Sequence, residues 1–327
     1  MSELTHRTVE TNGIRMHLTE AGSGPLVVLC HGFPESSYSW RHQLMALAEA
    51  GFRAVAPDMR GYGQTERPGA IDQYTLLHHV GDMVGLLDAL GAEQGVIAGH
   101  DWGGPVAWHA ALLRPDRFRA VIGLSVPYRP RGTVRPTTVM PQNENAVFYQ
   151  LYFQTPGVAE AELERDVGRT IRSILYSAAG DATPRESSVT AAGAVGMVPR
   201  KGGFLSGLED PANLPSWLSE ADIAFYTGEF APHRVHWWPQ LVPQHRPQLG
   251  APGPVRRRSC HGPGFVHRGR PRPSGSLPRG GPADSKPLAL RAPASRWHYA
   301  AWLRPLDPAG AGRGGQRCDD RLPARPG

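Results

Sequence analysis

The 327-residue sequence predicts an α/β protein with a mostly parallel sheet, helices on both faces and an inserted helical unit. Three observations carry that prediction. Short apolar runs alternate with stretches of helical periodicity from residue 25 to residue 126, the pattern of strands joined by right-handed helical crossovers. Each of the first three runs ends in a Gly-containing polar segment, and loops at the carboxyl ends of parallel strands are where such sheets place function. From Pro127 the alternation stops and helical segments rich in Ala, Glu and Tyr take over.

Taken in order, residues 7–20 alternate polar and apolar around Asn12-Gly13 and predict a two-stranded hairpin. Pro25–Cys30 is a continuous apolar run, as expected of a strand buried on both faces. It closes on His31-Gly32-Phe33-Pro34-Glu35, and a helix is expected from Tyr38 to Ala50. Phe52–Ala56 reads as the next strand, ending in Asp58-Met59-Arg60-Gly61-Tyr62-Gly63, and Tyr74–Leu90 as a helix. The run Val96-Ile97-Ala98 leads into Gly99-His100-Asp101-Trp102-Gly103-Gly104, with a helix from Pro105 to Leu113 and a strand from Ala120 to Val126. Residues 129–145 read as a linker, 146–178 as helical, 180–213 as loop-rich and Pro215–Phe230 as a helix. The domain reading is a core over 1–128, a helical lid over 129–230, and a third segment over 231–327.

Composition sets that third segment apart. Residues 1–230 carry 18 basic and 25 acidic side chains, whereas 231–327 carry 17 and 4. The tail has one lysine and no glutamate, and roughly half of it is Pro, Arg or Gly. Such a segment buries too little apolar surface to offset its chain entropy, so it is expected to lack order. No apolar run reaches the roughly 18 residues of a membrane span, and the N-terminus lacks the charged-then-apolar form of a signal sequence. Cys30, Cys260 and Cys318 form neither a disulfide framework nor a metal spacing. The expectation is a soluble cytoplasmic protein with no cofactor, no metal, no nucleic-acid partner and no membrane.

The stretch from Gly99 to Gly103 has the small-x-nucleophile-x-small form of a nucleophile elbow, with Asp101 at the nucleophile position. An elbow places its side chain above the sheet at a helix N-terminus, where the macrodipole favours a carboxylate. Glycine at 99 and 103 is expected both to avoid collisions with neighbouring backbone and to tolerate strained dihedrals. The simpler alternative is an N-capping aspartate at an ordinary strand-to-helix turn.

Through these segments the chain resembles the epoxide hydrolases of the α/β-hydrolase fold over roughly residues 8–230. The match rests on His31–Glu35, Ser39-Trp40-Arg41-His42-Gln43, Asp58–Gly63 and Gly99–Gly103, with Phe148–Gln154 and Phe225-Tyr226 after them. The resemblance implies that Asp101 attacks an epoxide carbon to form an ester, splitting one hard step into two. It implies that Tyr149 and Tyr226 protonate the ring oxygen and that the backbone N–H groups of Phe33 and Trp102 form the oxyanion hole. Trp102 also offers an apolar wall to the substrate, a small apolar epoxide. Tyr152 is the competitor of Tyr149 and is expected to pack. His100 and His31 are expected to be structural, His100 pointing away from the substrate and His31 supporting the oxyanion loop.

The same resemblance implies a water-activating histidine and an orienting acid after the lid. Neither is found: His261, His267 and His298 lie in sequence unlike the family, and no base histidine is assigned. A one-base shift near Ala231-Pro232 accounts for this. With third bases chosen, the codons of His236–Gln244 read one base later give Thr-Gly-Gly-Leu-Asn-Trp-Tyr-Arg, a family motif. Trp302–Ala311 similarly gives Gly-Cys-Gly-His-Trp-Thr-Gln-Gln-Glu, and the stretch from Gly264 gives Ala-Leu-Phe-Ile-Ala-Gly-Asp-Arg-Asp. An extra C after the Ala231 codon suffices. Two other readings are a haloalkane dehalogenase, which needs halide donors from the lid, and a non-catalytic binding protein using the basic tail, which has no recognisable motif.

Overall fold

In a computed structural model of the protein, the described residues are 3–130, 132–180, 182 and 196–230. The expectations placed on 231–327, including disorder and the frame shift, lie outside them.

The hairpin forms as β1 (Thr5–Thr11) and β2 (Ile14–Ala21). Asn12 and Gly13 turn it with φ of 44° and 78°, the doubly left-handed turn that suits the twist of two antiparallel strands. β3 (Leu26–Cys30) is buried along its whole length. A 3₁₀ turn over Ser37–Trp40 leads into α1 (Arg41–Glu49), so the helix expected from Tyr38 has a tighter first turn. β4 (Arg53–Pro57) follows, then a 3₁₀ turn over Ile71–Tyr74 and α2 (Leu76–Ala89), capped by Thr75. β5 (Gly95–His100), α3 (Gly103–Leu113) and β6 (Phe118–Leu124) complete the alternation.

The strand order is β1-β2-β4-β3-β5-β6. The pairs β3–β4, β3–β5 and β5–β6 are parallel, and β2–β4 is antiparallel. The register Cys30↔Gly99 brings the ends of β3 and β5 side by side, so the two loops that follow share one corner of the sheet. Among the described residues β6 pairs with β5 alone and forms an edge, and Ile122 on it is 50% exposed.

The loop after β4 is a structural clamp. Asp58 accepts from the N–H groups of Ser37 at 2.8 Å and Gln64 at 3.0 Å and lies 2.8 Å from His17 Nδ1. Arg60 is fully buried and donates twice to Asp82 on α2, at 2.9 and 2.5 Å. Asn12 adds a third bond to that carboxylate at 2.8 Å, so the hairpin, the loop and α2 meet at one charge pair.

After Pro127 the chain is more broken than its periodicity predicts. The expected linker holds a short helix, α4 (Pro136–Val139). The expected helical run over 146–178 opens on a strand, β7 (Ala146–Phe148), then divides into α5 (Tyr149–Tyr152), α6 (Val158–Leu163) and α7 (Val167–Ser177). The break before α7 has a local cause: the Asp166 side chain accepts from Arg169 N at 2.9 Å and starts a new helix. β8 (Met197–Pro199) pairs antiparallel with β7. A 3₁₀ turn over Leu205–Gly207 precedes α8 (Glu220–Phe230). Ser219 and Asp222 exchange side-chain-to-backbone bonds at 2.8 and 3.1 Å, a capping box that starts α8 five residues later than expected from Pro215.

Candidate active site

The turn from β5 to α3 puts Asp101 at φ +49°, the left-handed region that costs an ordinary residue energy. This refines the expectation about glycine. Neither Gly99 nor Gly103 has a positive φ; the strained residue is Asp101 itself. The glycines are needed for space. A Cβ on Gly99 would strike the Gly103 carbonyl, and one on Gly103 would strike the carbonyls of Cys30 and His31. Gly32 serves the same purpose from the other loop, because a Cβ there would fall on the Asp101 carboxylate.

Asp101 therefore sits where two strand ends and a helix start converge. Phe33 N–H donates to its Oδ1 at 2.9 Å, and the Trp102 amide lies beside the carboxylate and favours its charged form. Burial pushes the Asp101 carboxyl above the ordinary carboxylate range, against the pull of the neighbouring His100 and the two amides.

Behind this corner lies a pair that the sequence reading missed. Glu35 is buried, accepts from Gly32 N–H at 2.9 Å and lies 3.2 Å from His100 Nδ1. Burial opposes its charge, but the His100 ring and the Gly32 amide outweigh that and hold its carboxyl down to about 2. The pair joins the loops after β3 and β5. A local signal was present in Glu35 and His100 as polar residues at adjacent strand ends, but only the Cys30↔Gly99 register makes them neighbours. His31 accepts from Met59 N–H at Nε2 (2.9 Å), so its other nitrogen carries the proton that meets Gly32 O at 2.8 Å. Burial keeps its ring neutral. A structural His31 supporting the Gly32-Phe33 turn follows directly.

The aromatic residues after Pro127 separate into distinct environments. Tyr149 accepts from Gln150 Nε2 at 3.1 Å, which leaves its own proton available. Burial first, and then the Asp101 carboxylate, push its phenol up to about 12. Tyr152 turns away and donates to Glu162 at 2.7 Å, as expected of the packing competitor. Tyr226 is 3% exposed and its hydroxyl lies 2.7 Å from Ser39 Oγ. Phe33 meets Phe153 edge-on at 6.0 Å, and Phe153 contacts Phe204 at 5.2 Å, so apolar rings pack against the loop after β3. Among the described residues no cluster of His, Cys, Asp and Glu can hold a metal ion, and no helix is long and apolar enough to cross a membrane.

A sheet of this order with a strained acidic elbow at the carboxyl end of β5 defines an α/β hydrolase. Residues 25–190 match the family described as alpha/beta hydrolase fold. Epoxide hydrolase A of Mycobacterium tuberculosis is 47% identical over 234 residues, covering 70% of both chains. Epoxide hydrolase 3 of Siraitia grosvenorii is 43% identical over 236 residues, covering 70% of this chain and 69% of that one. Among solved structures, an epoxide hydrolase from an endophytic Streptomyces superposes with a TM-score of 0.68 at 47% identity, covering 74% of this chain and 72% of that chain. Epoxide hydrolase A from Mycobacterium thermoresistibile gives 0.65 at 43%, covering 74% and 76%. The chain belongs to the epoxide hydrolases of the α/β-hydrolase fold, a family of hydrolytic enzymes.

Proposed function

We propose that residues 1–230 carry the first half of epoxide hydrolysis and that this polypeptide stalls after it. An Asp101 carboxylate oxygen attacks one ring carbon, the carbon–oxygen bond of the ring breaks, and an ester forms. The ring oxygen takes a proton from Tyr149 or Tyr226. The second half needs water to attack the ester carbonyl, with the oxyanion held by the N–H groups of Phe33 and Trp102. The base that would activate this water is the histidine not found in 231–327. The observation that carries the reading is the bond from Phe33 N–H to Asp101 Oδ1 at 2.9 Å. It aims one carboxylate oxygen at the amides that would later stabilise the oxyanion. The substrate class is a small apolar epoxide, and the helical unit over 129–230 is its lid.

The stall rests on the frame reading. The identity to relatives covers about 70% of this chain, and the motifs that resemble the family end at Tyr226, four residues before Phe230. A one-base shift near Ala231-Pro232 replaces the expected catalytic half by a Pro/Arg/Gly-rich sequence.

The test is intact-mass and peptide mass spectrometry of the full chain after incubation with styrene oxide. The expected result is one adduct on the Asp101 peptide and at most one equivalent of diol. Multiple turnover would overturn the stall, and adduct elsewhere or none at all would overturn Asp101 as nucleophile. Halide release from a haloalkane would favour the dehalogenase reading instead. Resequencing the codons for Phe230–His236 decides the frame: loss of one C gives a chain that turns over, and an unchanged sequence leaves ancestry without turnover.

A further inference from the structure

Ser39 lies on the 3₁₀ turn Ser37–Trp40, before α1 and far from the elbow in sequence. It is buried, and its hydroxyl meets the Tyr226 hydroxyl across 187 residues of chain. The turn beneath it is fixed: Ser36 caps it, and Ser37 N–H donates to Asp58 at 2.8 Å. The helix above it is fixed too. On α8, Asp222 accepts from the Tyr38 hydroxyl at 2.8 Å and Arg41 at 2.9 Å, and Phe225 stacks on Tyr38 at 4.0 Å. Two rigid elements thus present Ser39 and Tyr226 to each other at 2.7 Å.

We propose that Ser39 is a positioning residue for Tyr226: its O–H donates to the phenol oxygen, leaves the phenol proton free for the ring oxygen, and stabilises the tyrosinate left after transfer. The proposal rests on Tyr226 as a ring-oxygen donor. The step balances. As Asp101 bonds to carbon and the ring carbon–oxygen bond breaks, the phenol proton passes to the ring oxygen and the negative charge moves from Asp101 to the Tyr226 oxygen. Solvent returns the proton. Tyr149 is arranged in the same sense, since Gln150 N–H donates to its oxygen. Each phenol then has a donor behind it and its own proton in front. A hydrogen bond to a charged group in a dry site is worth more than one in water, so the Ser39 bond strengthens when charge develops on Tyr226 and counts toward the transition state.

The test uses the full chain and two readouts. The first is the single-turnover rate of the styrene oxide adduct in Ser39→Ala, Ser39→Thr, Tyr226→Phe and the double variant S39A/Y226F. Ser39→Ala is expected to slow adduct formation by about 10-fold, the loss of one charge-assisted hydrogen bond. Ser39→Thr, which keeps the hydroxyl, should restore most of the rate, and Ser39→Ala should add nothing in the Tyr226→Phe background. An equal loss in both backgrounds would assign Ser39 a packing role and overturn the proposal. A slow Tyr226→Phe beside an unaffected Ser39→Ala overturns it alone, whereas an unaffected Tyr226→Phe overturns the donor reading beneath it. The second readout needs no epoxide. With 3-fluorotyrosine at position 226, the fluorine resonance reports the phenol titration, which Ser39→Ala should move upward by about one pH unit. An unchanged titration overturns the proposal whatever the adduct does.

Discussion

The two halves of the site are held in different ways. The proposed nucleophile half is built by backbone: a strained turn, three glycines whose Cβ positions are occupied, and the amides of Phe33, at 2.9 Å, and Trp102 in the adjoining turn. The proposed acid half is built by side chains of separate elements: Gln150 behind Tyr149, Ser39 behind Tyr226, and Asp222 holding α8 to the core. Backbone geometry is set by short-range sterics and resists change, so the Asp101 carboxylate stays put. Side-chain geometry depends on which elements pack over the core, so the proposed proton donors are free to vary around a fixed carboxylate.

The sharpest way to break this comparison is Asp101→Ala. It should abolish adduct formation, a loss of at least about 10³-fold by mass spectrometry, with the fold retained. Removing a donor should do less. Tyr149→Phe and Tyr226→Phe are each expected to slow the adduct by about 10²-fold, and loss in only one of them would assign the proton to a single tyrosine.

Stability should divide the halves in the same sense. Gly103→Ala drives a Cβ into backbone that cannot move aside and should cost about 3 kcal/mol in urea unfolding. Asp222→Asn keeps the size of the side chain and should cost about 1–2 kcal/mol while leaving the elbow intact. A larger loss from Asp222→Asn than from Gly103→Ala would reverse the comparison.

Two pH dependences sharpen it further. The Asp101 carboxyl is raised by burial, and only the carboxylate attacks carbon, so adduct formation should fall as pH drops through its raised value. His79 behaves differently. It is buried on α2, neither ring nitrogen has a hydrogen-bond partner, and burial brings its pKa down from 6.5 to about 4. Folding therefore favours neutral His79. Its contribution is present above pH 6.5 and is lost as pH falls toward 4, by at most about 3 kcal/mol. His79→Gln should flatten that part of the stability curve, and an unchanged curve would mean that the ring is hydrated.

Much of the core was legible in the sequence because its signals are local. A five-residue apolar run between turn signals fits a doubly covered strand, and Leu26–Cys30 is one. Asn12-Gly13 can only turn one way, and it does. The segment after Pro127 was read less well. Ala, Glu and Leu favour helix throughout 146–178, but Val147 pairs with Val198 as a strand, and that partner lies 51 residues on. Of the candidate site residues, Asp101 and the amides of Phe33 and Trp102 stand out in the sequence because they lie in the elbow and the loop after β3. Tyr149 and Tyr152 look alike in sequence, and their separation depends on Gln150 and Glu162.

The sequence by itself determined the order of strands and helices as far as Val126, the acidic elbow and the change in composition near Phe230, since each depends on steric or hydrophobic rules acting over a few residues. Only the tertiary structure decided that Glu35 faces His100, that Arg60 closes on Asp82, and that Ser39 meets Tyr226. Those contacts join residues far apart in the chain. A polar side chain carries no mark of its partner until burial removes water and the fold supplies the one group within reach.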